Sequence, residues 1–286
     1  MLATWITRQI AFDGVVSGVV FGLLAMGIVL VYRATRVINF AVANMGLFGA
    51  ALFALLVEQW NVPFWIAAPA SLVTGTAIGA IAELGVVRRL FQAPRVIVLV
   101  ATIAISQLCL AIVFVLPKID SPGAPFPRAI GQRHVVAGVR VAGPQLSILI
   151  VVPLLAVFLG WLMTRTTLGK SVTAASENSD LARLAGVSPK RVSTIVWGLA
   201  GGLATMSMAL LAGQNGSAGS LTSLGPGTLA RALTAAVIAG MASFPRAFGS
   251  GIVIGLAQTI VAFNFNDQAG LIDFLVFLVV LVAVYS

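Results

Sequence analysis

"GVVSGVVFGLLAMGIVLVY", residues 14–32, is a stretch without a charged side chain that lies between Asp13 and Arg33. Its length is close to the roughly 20 apolar residues that a helix needs to cross the hydrocarbon core of a bilayer. Glycines at positions 14, 18 and 22 follow one another on the same face of that helix. Because such faces let two helix backbones pack closely, the stretch predicts a transmembrane helix packed tightly against a neighbour.

Similar apolar runs repeat along the whole chain. Of its 286 residues, 59% are hydrophobic and 9% are charged, whereas about a quarter are charged in an average soluble domain. We predict an all-α, polytopic transmembrane helical bundle, with residues 1–286 forming one transmembrane domain. The seventh span is short enough to be partly re-entrant, so we expect eight or nine crossings. The predicted spans are 14–32, 39–57, 63–86, 96–116, 145–163, 192–213, 228–243, 248–264 and 270–285.

The charge balance indicates how the bundle is oriented. The chain has 17 Lys and Arg residues against 8 Asp and Glu residues, for a net charge of +9. In a soluble protein this excess would suggest nucleic-acid binding, but in a membrane protein basic residues gather in short cytoplasmic loops. We therefore expect a lipid bilayer as the surroundings and no nucleic acid. The loops of the predicted cytoplasmic side contain Arg33, Arg36, Arg88, Arg89, Arg95, Arg165, Lys170, Arg183, Lys190, Arg191 and Arg246.

Two longer segments lie outside the predicted spans. Residues 117–143, on the predicted external side, are rich in proline, glycine and arginine. This composition favours an irregular loop or a short hairpin at the membrane surface, where it could form a docking platform. Residues 164–191, on the predicted cytoplasmic side, form a polar segment between two apolar spans.

The polar segment 164–191 carries signals for local structure. Thr167 is positioned to cap one helix, and Ser179 a second helix that ends before Gly186. Ser188, followed by a proline, predicts the start of the next span. A solvated connector on the bilayer surface is one interpretation. The two capped helices favour another, a compact surface of small apolar residues, rimmed by charges, that docks on a soluble partner.

Polar side chains inside the spans are candidates for a solute passage, because burying them in a membrane is costly unless they are satisfied. Neutral hydrogen-bonding groups of this kind would suit a zwitterionic solute. Hydrogen bonds between helices that only fix their packing are an equal alternative. The candidates in or beside the second and fourth spans are Asn39, Asn44, Thr102, Ser106 and Gln107.

Ionisable residues lie mostly near the predicted ends of spans. Glu83 precedes Arg88 and Arg89 near a cytoplasmic end, which favours a structural ion pair or a residue at the level of the lipid headgroups over a proton relay. Asp267 and Asp273 are expected at the external mouth, where Arg231 could pair with one of them. Ionisable groups placed in this way disfavour an ion-coupled secondary transporter.

Signals for catalysis are missing from the sequence. The lone His134 lies in the external loop, far from any motif serine, and the single Cys109 lies in an apolar run. The sequence has no cluster of ligands with metal spacing and no Gly-x-x-x-x-Gly-Lys-Ser/Thr phosphate loop. We therefore expect a protein that is not an enzyme and that binds no metal or nucleotide cofactor itself.

Four segments, in order, resemble the permease family of bacterial ABC importers for branched-chain amino acids, a group that includes urea-importer permeases. The resemblance runs along nearly the whole chain. The four segments are "VYRATRVINFAVANMGLFGA" (31–50), "RRLFQAPRVIVLVATIAIS" (88–106), "TRTTLGKSVTAASENSDLARLAGVSPKRV" (164–192) and "LARALTAAVIAGMASFPRAFGSGIVIGL" (229–256).

The resemblance implies an ATP-driven importer subunit in the bacterial inner membrane that works by alternating access. It implies three kinds of partner: a second permease, identical or paralogous; two ATPase subunits, which would bind ATP and magnesium; and a periplasmic or lipid-anchored solute-binding protein. It makes 164–191 the segment that couples to the ATPase. The coupling contacts would be Ala174, Ala175, Leu181 and Gly186, with Arg165, Lys170 and Arg183 at the rim.

The chain departs from the family pattern in two places. Val42 and Ala43 stand where the family often has His-Gly, so the solute could differ from leucine, isoleucine or valine, with urea or a short-chain amide as the alternative. The chain ends at Ser286 without the family's usual basic tail, which leaves open a truncated chain or one half of a fused permease. A passive channel is an alternative of a different class. A channel would need no segment that docks on a partner, so the polar segment 164–191 disfavours it.

Overall fold

The structure, a computed structural model, describes residues 7–91, 93–116, 126–128, 133–136, 138–216, 221–265 and 270–285. These residues form eleven α-helices and one small β-hairpin. The helices are α1 (Arg8–Thr35), α2 (Val42–Glu58), α3 (Phe64–Gly85), α4 (Arg95–Val115), α5 (Gly143–Arg165), α6 (Thr167–Glu177), α7 (Ser179–Leu184), α8 (Pro189–Asn215), α9 (Leu221–Ile238), α10 (Phe244–Asn264) and α11 (Leu271–Tyr285).

All nine predicted spans correspond to helices, and the prediction of an all-α polytopic bundle is confirmed. Six helices among the described residues are long and apolar enough to cross a membrane. They are α1, α3, α4, α5, α8 and α10. The helices α2, α9 and α11 are apolar but shorter. The short α9 contains Pro226.

Helix α1 is the centre of the bundle. Its middle part is buried on every side, and residues such as Val20, Leu24 and Val31 have no exposed surface. A helix that is apolar all round must be enclosed by other helices or lipid, and here α8, α9 and α10 pack on α1. In contrast, α3, α4 and α5 each leave an apolar face exposed, as at Val73, Val100 and Val157. These exposed faces are suited to lipid or to another membrane subunit.

Glycines let α1 and α10 cross with their backbones in contact. A Cβ atom added at Gly18 would lie 2.6 Å from the Cα atom of Ile252, and one added at Gly22 would lie 2.7 Å from the carbonyl oxygen of Phe248. From the other side, Gly251 and Gly255 face the backbone of Gly22 and Gly18. The close packing predicted from the glycines of residues 14–32 is therefore present.

A second close crossing joins α2 and α3 to α8. Gly46 of α2 lies against the backbone of Ala204, and Gly79 of α3 lies against the carbonyl group of Trp197. The Trp197 side chain is fully buried. Small residues therefore bring helix backbones together at both crossings, and α8 packs on α1 as well.

A small β-hairpin precedes α5. Strand β1 (Arg133–Val136) pairs antiparallel with β2 (Val139–Ala142), in the register Arg133 to Ala142. The backbone N–H of Arg140 donates to the Gln9 side chain at 2.9 Å, which ties β2 to the start of α1. Of the two forms predicted within residues 117–143, the structure contains the short hairpin, and most of the remaining segment lies outside the described residues.

The glycine crossing predicts a sharp contrast between two substitutions on α10. Gly255→Ala places a methyl group against the backbone of Gly18, and we expect a loss of about 1–3 kcal/mol of stability from overpacking. Gly249→Ala meets no atom within 4 Å, and alanine is favoured over glycine inside a helix by about 1 kcal/mol. Each variant is heated in detergent, and size-exclusion chromatography then measures the fraction that remains folded at each temperature. Equal stability would show that the α1–α10 contact is not tight.

Candidate functional site

Four of the five predicted passage residues come together between α2 and α4. Asn39 lies just before α2 and Asn44 lies in its first turn, and Thr102 and Ser106 lie one turn apart on α4. All four side chains are buried. We call these four residues the polar cluster.

Hydrogen bonds inside the polar cluster connect the two helices. The Nδ2 group of Asn44 donates to the Ser106 hydroxyl at 2.8 Å and to the Ser106 carbonyl oxygen at 3.3 Å. The Thr102 hydroxyl donates to the Leu99 carbonyl oxygen and accepts from the Phe40 backbone N–H at 3.3 Å. These bonds agree with the packing interpretation of the cluster, since each one satisfies a polar group that lipid could not satisfy.

The polar cluster also retains hydrogen-bonding capacity. Oδ1 of Asn39 accepts from the Ala41 N–H at 2.9 Å, which leaves the Asn39 Nδ2 group as a donor. Nδ2 of Asn44 is used on Ser106, which leaves Asn44 Oδ1 as an acceptor directed at Gly225 of α9. Neither atom has a hydrogen-bond partner among the described residues. The cluster therefore offers one buried donor and one buried acceptor without a formal charge.

The structure does not bring Gln107 to the polar cluster. Its side chain is exposed on the outer face of α4, beside the exposed Leu108, whereas Thr102 and Ser106 are buried. Each residue rotates the helix by about 100°, so the position after Ser106 points away from the face shared by residues four apart.

Thr205 of α8 is a buried polar residue that the sequence analysis missed. Its hydroxyl has no hydrogen-bond partner in the described part of the chain, and it lies against Gly49 of α2 and Gly75 of α3. Small residues in two neighbouring helices indicate that a third helix packs closely against them. That signal does not identify which residue of a third helix fills the space.

The two predicted ionic contacts that can be checked are present. Glu83 is 1% exposed and lies 3.2 Å from Arg88, and its carboxylate also accepts from the Thr194 hydroxyl at 2.7 Å. This is the structural ion pair predicted in place of a proton relay. Arg231 lies 3.4 Å from Asp273, whereas Asp267 lies outside the described residues. Among the described residues, no group of three or more His, Cys, Asp or Glu side chains could hold a metal ion.

The coupling segment, which we define as residues 164–191, contains the two predicted helices, but the predicted caps are wrong by one residue. Helix α6 begins at Thr167, with Thr166 at the cap position, and α7 begins at Ser179, with Asn178 as its cap. Oδ1 of Asn178 accepts from two backbone N–H groups at 3.0 Å. Asparagine is as strong a cap as serine, so the backbone path selects the earlier residue. Gly186 adopts the predicted left-handed conformation, with a φ of 81°.

The coupling segment is held against the bundle. In α6, Gly169 lies against the backbone carbonyl group of Met163, and Val172 is buried. In α7, Ala182 is buried. Arg33, at the end of α1, donates to the Thr173 hydroxyl at 3.5 Å. The segment is therefore a packed structure and not a freely solvated connector.

The predicted coupling residues divide into two groups by exposure. Leu181 and Gly186 are exposed, whereas Ala174 and Ala175 are half-buried, so part of their surface is used inside the protein. Leu184, which was not among the predicted contacts, has a side chain that is 85% exposed. The rim residues Arg165, Lys170 and Arg183 are all exposed, and Arg183 pairs with Asp180 at 3.2 Å.

The bundle, its buried polar cluster and its packed coupling segment define a polytopic helical membrane protein of the transporter class. Residues 10–284 match the family described as "Branched-chain amino acid transport system / permease component". The chain belongs to this family, as the resemblance of its four segments predicted.

Named relatives agree with this assignment. The high-affinity branched-chain amino acid transport system permease protein BraD of Pseudomonas aeruginosa is 27% identical over 271 residues, which cover 90% of this chain and 86% of the relative. The probable branched-chain amino acid transport permease protein LivH of Methanocaldococcus jannaschii is 24% identical, over 87% of this chain and 79% of the relative. LivH of Escherichia coli is 24% identical, over 88% of this chain and 85% of the relative.

A solved structure has a similar fold. PsaBC from Streptococcus pneumoniae in complex with a Fab superposes with a TM-score of 0.51 and 15% sequence identity. The match covers 96% of this chain and 90% of that chain. At this identity the likeness supports the fold alone.

The hydrogen bonds of the polar cluster predict energetic coupling between Asn44 and Ser106. We expect a double-mutant cycle of Asn44→Ala and Ser106→Ala to give a coupling free energy of about 0.6 kcal/mol, the average for polar contacts between membrane helices, and at most about 1.7 kcal/mol. The measurement is the unfolding free energy in detergent for the wild type, the two single variants and the double variant. Strict additivity of the two substitutions would contradict the α2–α4 hydrogen bonds.

Proposed function

We propose that this chain is the permease subunit of an ATP-driven ABC importer that moves branched-chain or related amino acids across the bacterial inner membrane. Its partners would be a second permease subunit, identical or paralogous, two ATPase subunits that bind ATP and magnesium, and a periplasmic or lipid-anchored solute-binding protein. The family membership supports the solute class. The packed coupling segment is the observation that carries the ATP-driven mechanism.

The geometry of the coupling segment suits the transmission of force. Helices α6 and α7 follow α5 directly and lead into α8, so a displacement of the segment acts on two long helices at once. The contact of Arg33 with Thr173 adds the end of α1 to this connection. Closure of an ATPase dimer against the segment would move these helices as rigid levers, and the bundle would open alternately to the two sides.

The exposed surface of the segment suits a protein partner. Leu181 and Leu184 are 62% and 85% exposed, and the cationic Arg165, Lys170 and Arg183 are exposed in the same segment. Apolar side chains at the centre with charges at the rim are typical of a protein interface. The half-buried Ala174 and Ala175 would contribute at its edge.

The polar cluster supports the choice of a zwitterionic solute. The free donor on Asn39 suits a carboxylate, and the free acceptor on Asn44 suits an ammonium group. Both groups are neutral, so a solute would be bound without being trapped by a fixed charge. The Ser106 hydroxyl would orient Asn44 through their hydrogen bond, whereas the Thr102 hydroxyl accepts from the Phe40 backbone next to Asn39.

The exposed leucines of the coupling segment predict how the complex can be broken. Leu184→Glu puts a charge at the centre of the proposed interface, and we expect co-purification with the cognate ATPase to fall at least tenfold, a loss of about 1.4 kcal/mol. Val135→Glu is the matched control, because Val135 is 73% exposed on the hairpin, away from the segment. The proposal fails if Leu184→Glu retains the ATPase as well as Val135→Glu does.

Uptake measurements test the solute and the energy source together. In a strain that lacks the gene, complementation is expected to restore uptake of labelled leucine, and arsenate, which depletes ATP, is expected to stop it. Restoration of urea uptake without leucine uptake would replace the amino-acid assignment by the urea alternative. Uptake that survives arsenate but stops on collapse of the proton gradient would instead indicate an ion-coupled transporter.

A further inference from the structure

A basic cleft of about 680 Å³ lies outside the polar cluster, where the turn after α3 meets the junction of α7 and α8. One wall is the turn of 3₁₀-helix at Val87–Leu90, and the other is the chain from Arg183 to Lys190. Its lining includes Arg88, Arg89, Phe91, Arg183, Ser188 and Lys190. We call this cavity the basic cleft. Four of its lining side chains are cationic and none is acidic.

The cations of the basic cleft are only partly neutralised by the protein. Arg88 pairs with the buried Glu83, and Arg183 pairs with Asp180, whose side chain is 84% exposed. For Arg89 and Lys190 the described residues provide no carboxylate within 4.0 Å. Two uncompensated charges in one cleft produce a positive potential that attracts an anion.

The start of α8 adds a hydrogen-bond donor to the basic cleft. This helix has 27 residues, and the Ser188 hydroxyl at its cap position accepts no hydrogen bond from the first turn. The first backbone N–H groups of an α-helix have no partner within the helix, and they carry the positive end of its dipole. Lys190 lies in that first turn. Pro189, the first residue of α8, has no N–H, so the main-chain donor among the lining residues of this turn is that of Lys190. Side-chain cations together with a main-chain donor at a helix start suit the binding of phosphate groups.

The position of the basic cleft favours a phosphate attached to lipid. Phe91, one of its lining residues, is 45% exposed, and the neighbouring Leu84 and Val96 are 46% and 71% exposed. These side chains continue the exposed apolar face of α3 and α4. A ligand in the cleft can thus place an anionic group on the cations while its apolar part lies against that face.

We propose that the basic cleft binds the phosphate headgroup of an anionic phospholipid in the leaflet on the coupling-segment side. Basic pockets beside transmembrane helices are suited to such headgroups. The site is independent of the transported solute. Because Arg183 and Gly186 belong both to the cleft and to the coupling segment, a bound headgroup also holds α7 against the turn after α3.

The test compares two pairs of substitutions on the same face of the protein. Arg89→Gln with Lys190→Gln removes the two uncompensated cations of the cleft. Arg165→Gln with Lys170→Gln removes two exposed cations that do not line it, and so provides the control for general surface charge. All four side chains are exposed, so neither pair disturbs the core, and size-exclusion chromatography checks that both variants fold.

The chain is reconstituted in nanodiscs that contain phosphatidylcholine and phosphatidylglycerol. Native mass spectrometry then measures how much phosphatidylglycerol stays bound to the released protein. We expect about thirtyfold weaker retention of phosphatidylglycerol in the cleft variant, from two basic residues near the surface, and wild-type retention in the control variant. A parallel arm adds inorganic phosphate as a competitor, which should displace little lipid.

Three results would overturn the proposal. An equal loss of lipid in the control variant would indicate attraction by surface charge alone. Displacement of the lipid by millimolar phosphate would indicate a site for a soluble anion. Loss of ATPase co-purification in the cleft variant, with lipid retention unchanged, would assign the basic cleft to a protein interface.

Discussion

The contact between the backbones of α1 and α10 is the interaction on which the rest of the structure depends. Lipid offers no hydrophobic force between helices, so they associate through close packing and hydrogen bonds. Gly18 and Gly255 bring the two backbones together. Where α1 ends, Arg33 lies 5.0 Å from the ring of Phe244 at the start of α10 and reaches the coupling segment. The crossing therefore fixes the position of the surface that we propose for the ATPase.

The polar cluster and the coupling segment are both connected to helix α8. The polar cluster lies on α2 and α4, and α2 is held against α8 by a second small-residue crossing at Gly46. The coupling segment leads into the same α8. In the mechanism that we propose, a movement of that segment would be transmitted toward the cluster through these packed helices. Gly225 of α9 lies against Asn44 Oδ1, so in the function that we propose α9 would have to move before a solute could reach that atom.

Much of this arrangement could be predicted from sequence, for reasons that differ between elements. The spans follow from the length of apolar runs, which the thickness of the bilayer sets. The coupling helices follow from short-range signals, although Asn178 rather than Ser179 caps α7 because the backbone path is not encoded by residue type alone. The separation of Gln107 from the polar cluster was predictable, since it is one residue beyond the face shared by Thr102 and Ser106. The place of Thr205 depends on three helices meeting, which no local pattern contains.

Site-specific crosslinking tests most directly whether the coupling segment contacts the ATPase. A benzophenone attached at Leu184→Cys, in a Cys109→Ala background, is irradiated in membranes that contain the whole complex. The account predicts a crosslink to the ATPase subunit that changes in yield when ATP is bound, and none from Val135→Cys on the hairpin. A crosslink from Val135→Cys but not from Leu184→Cys would contradict it.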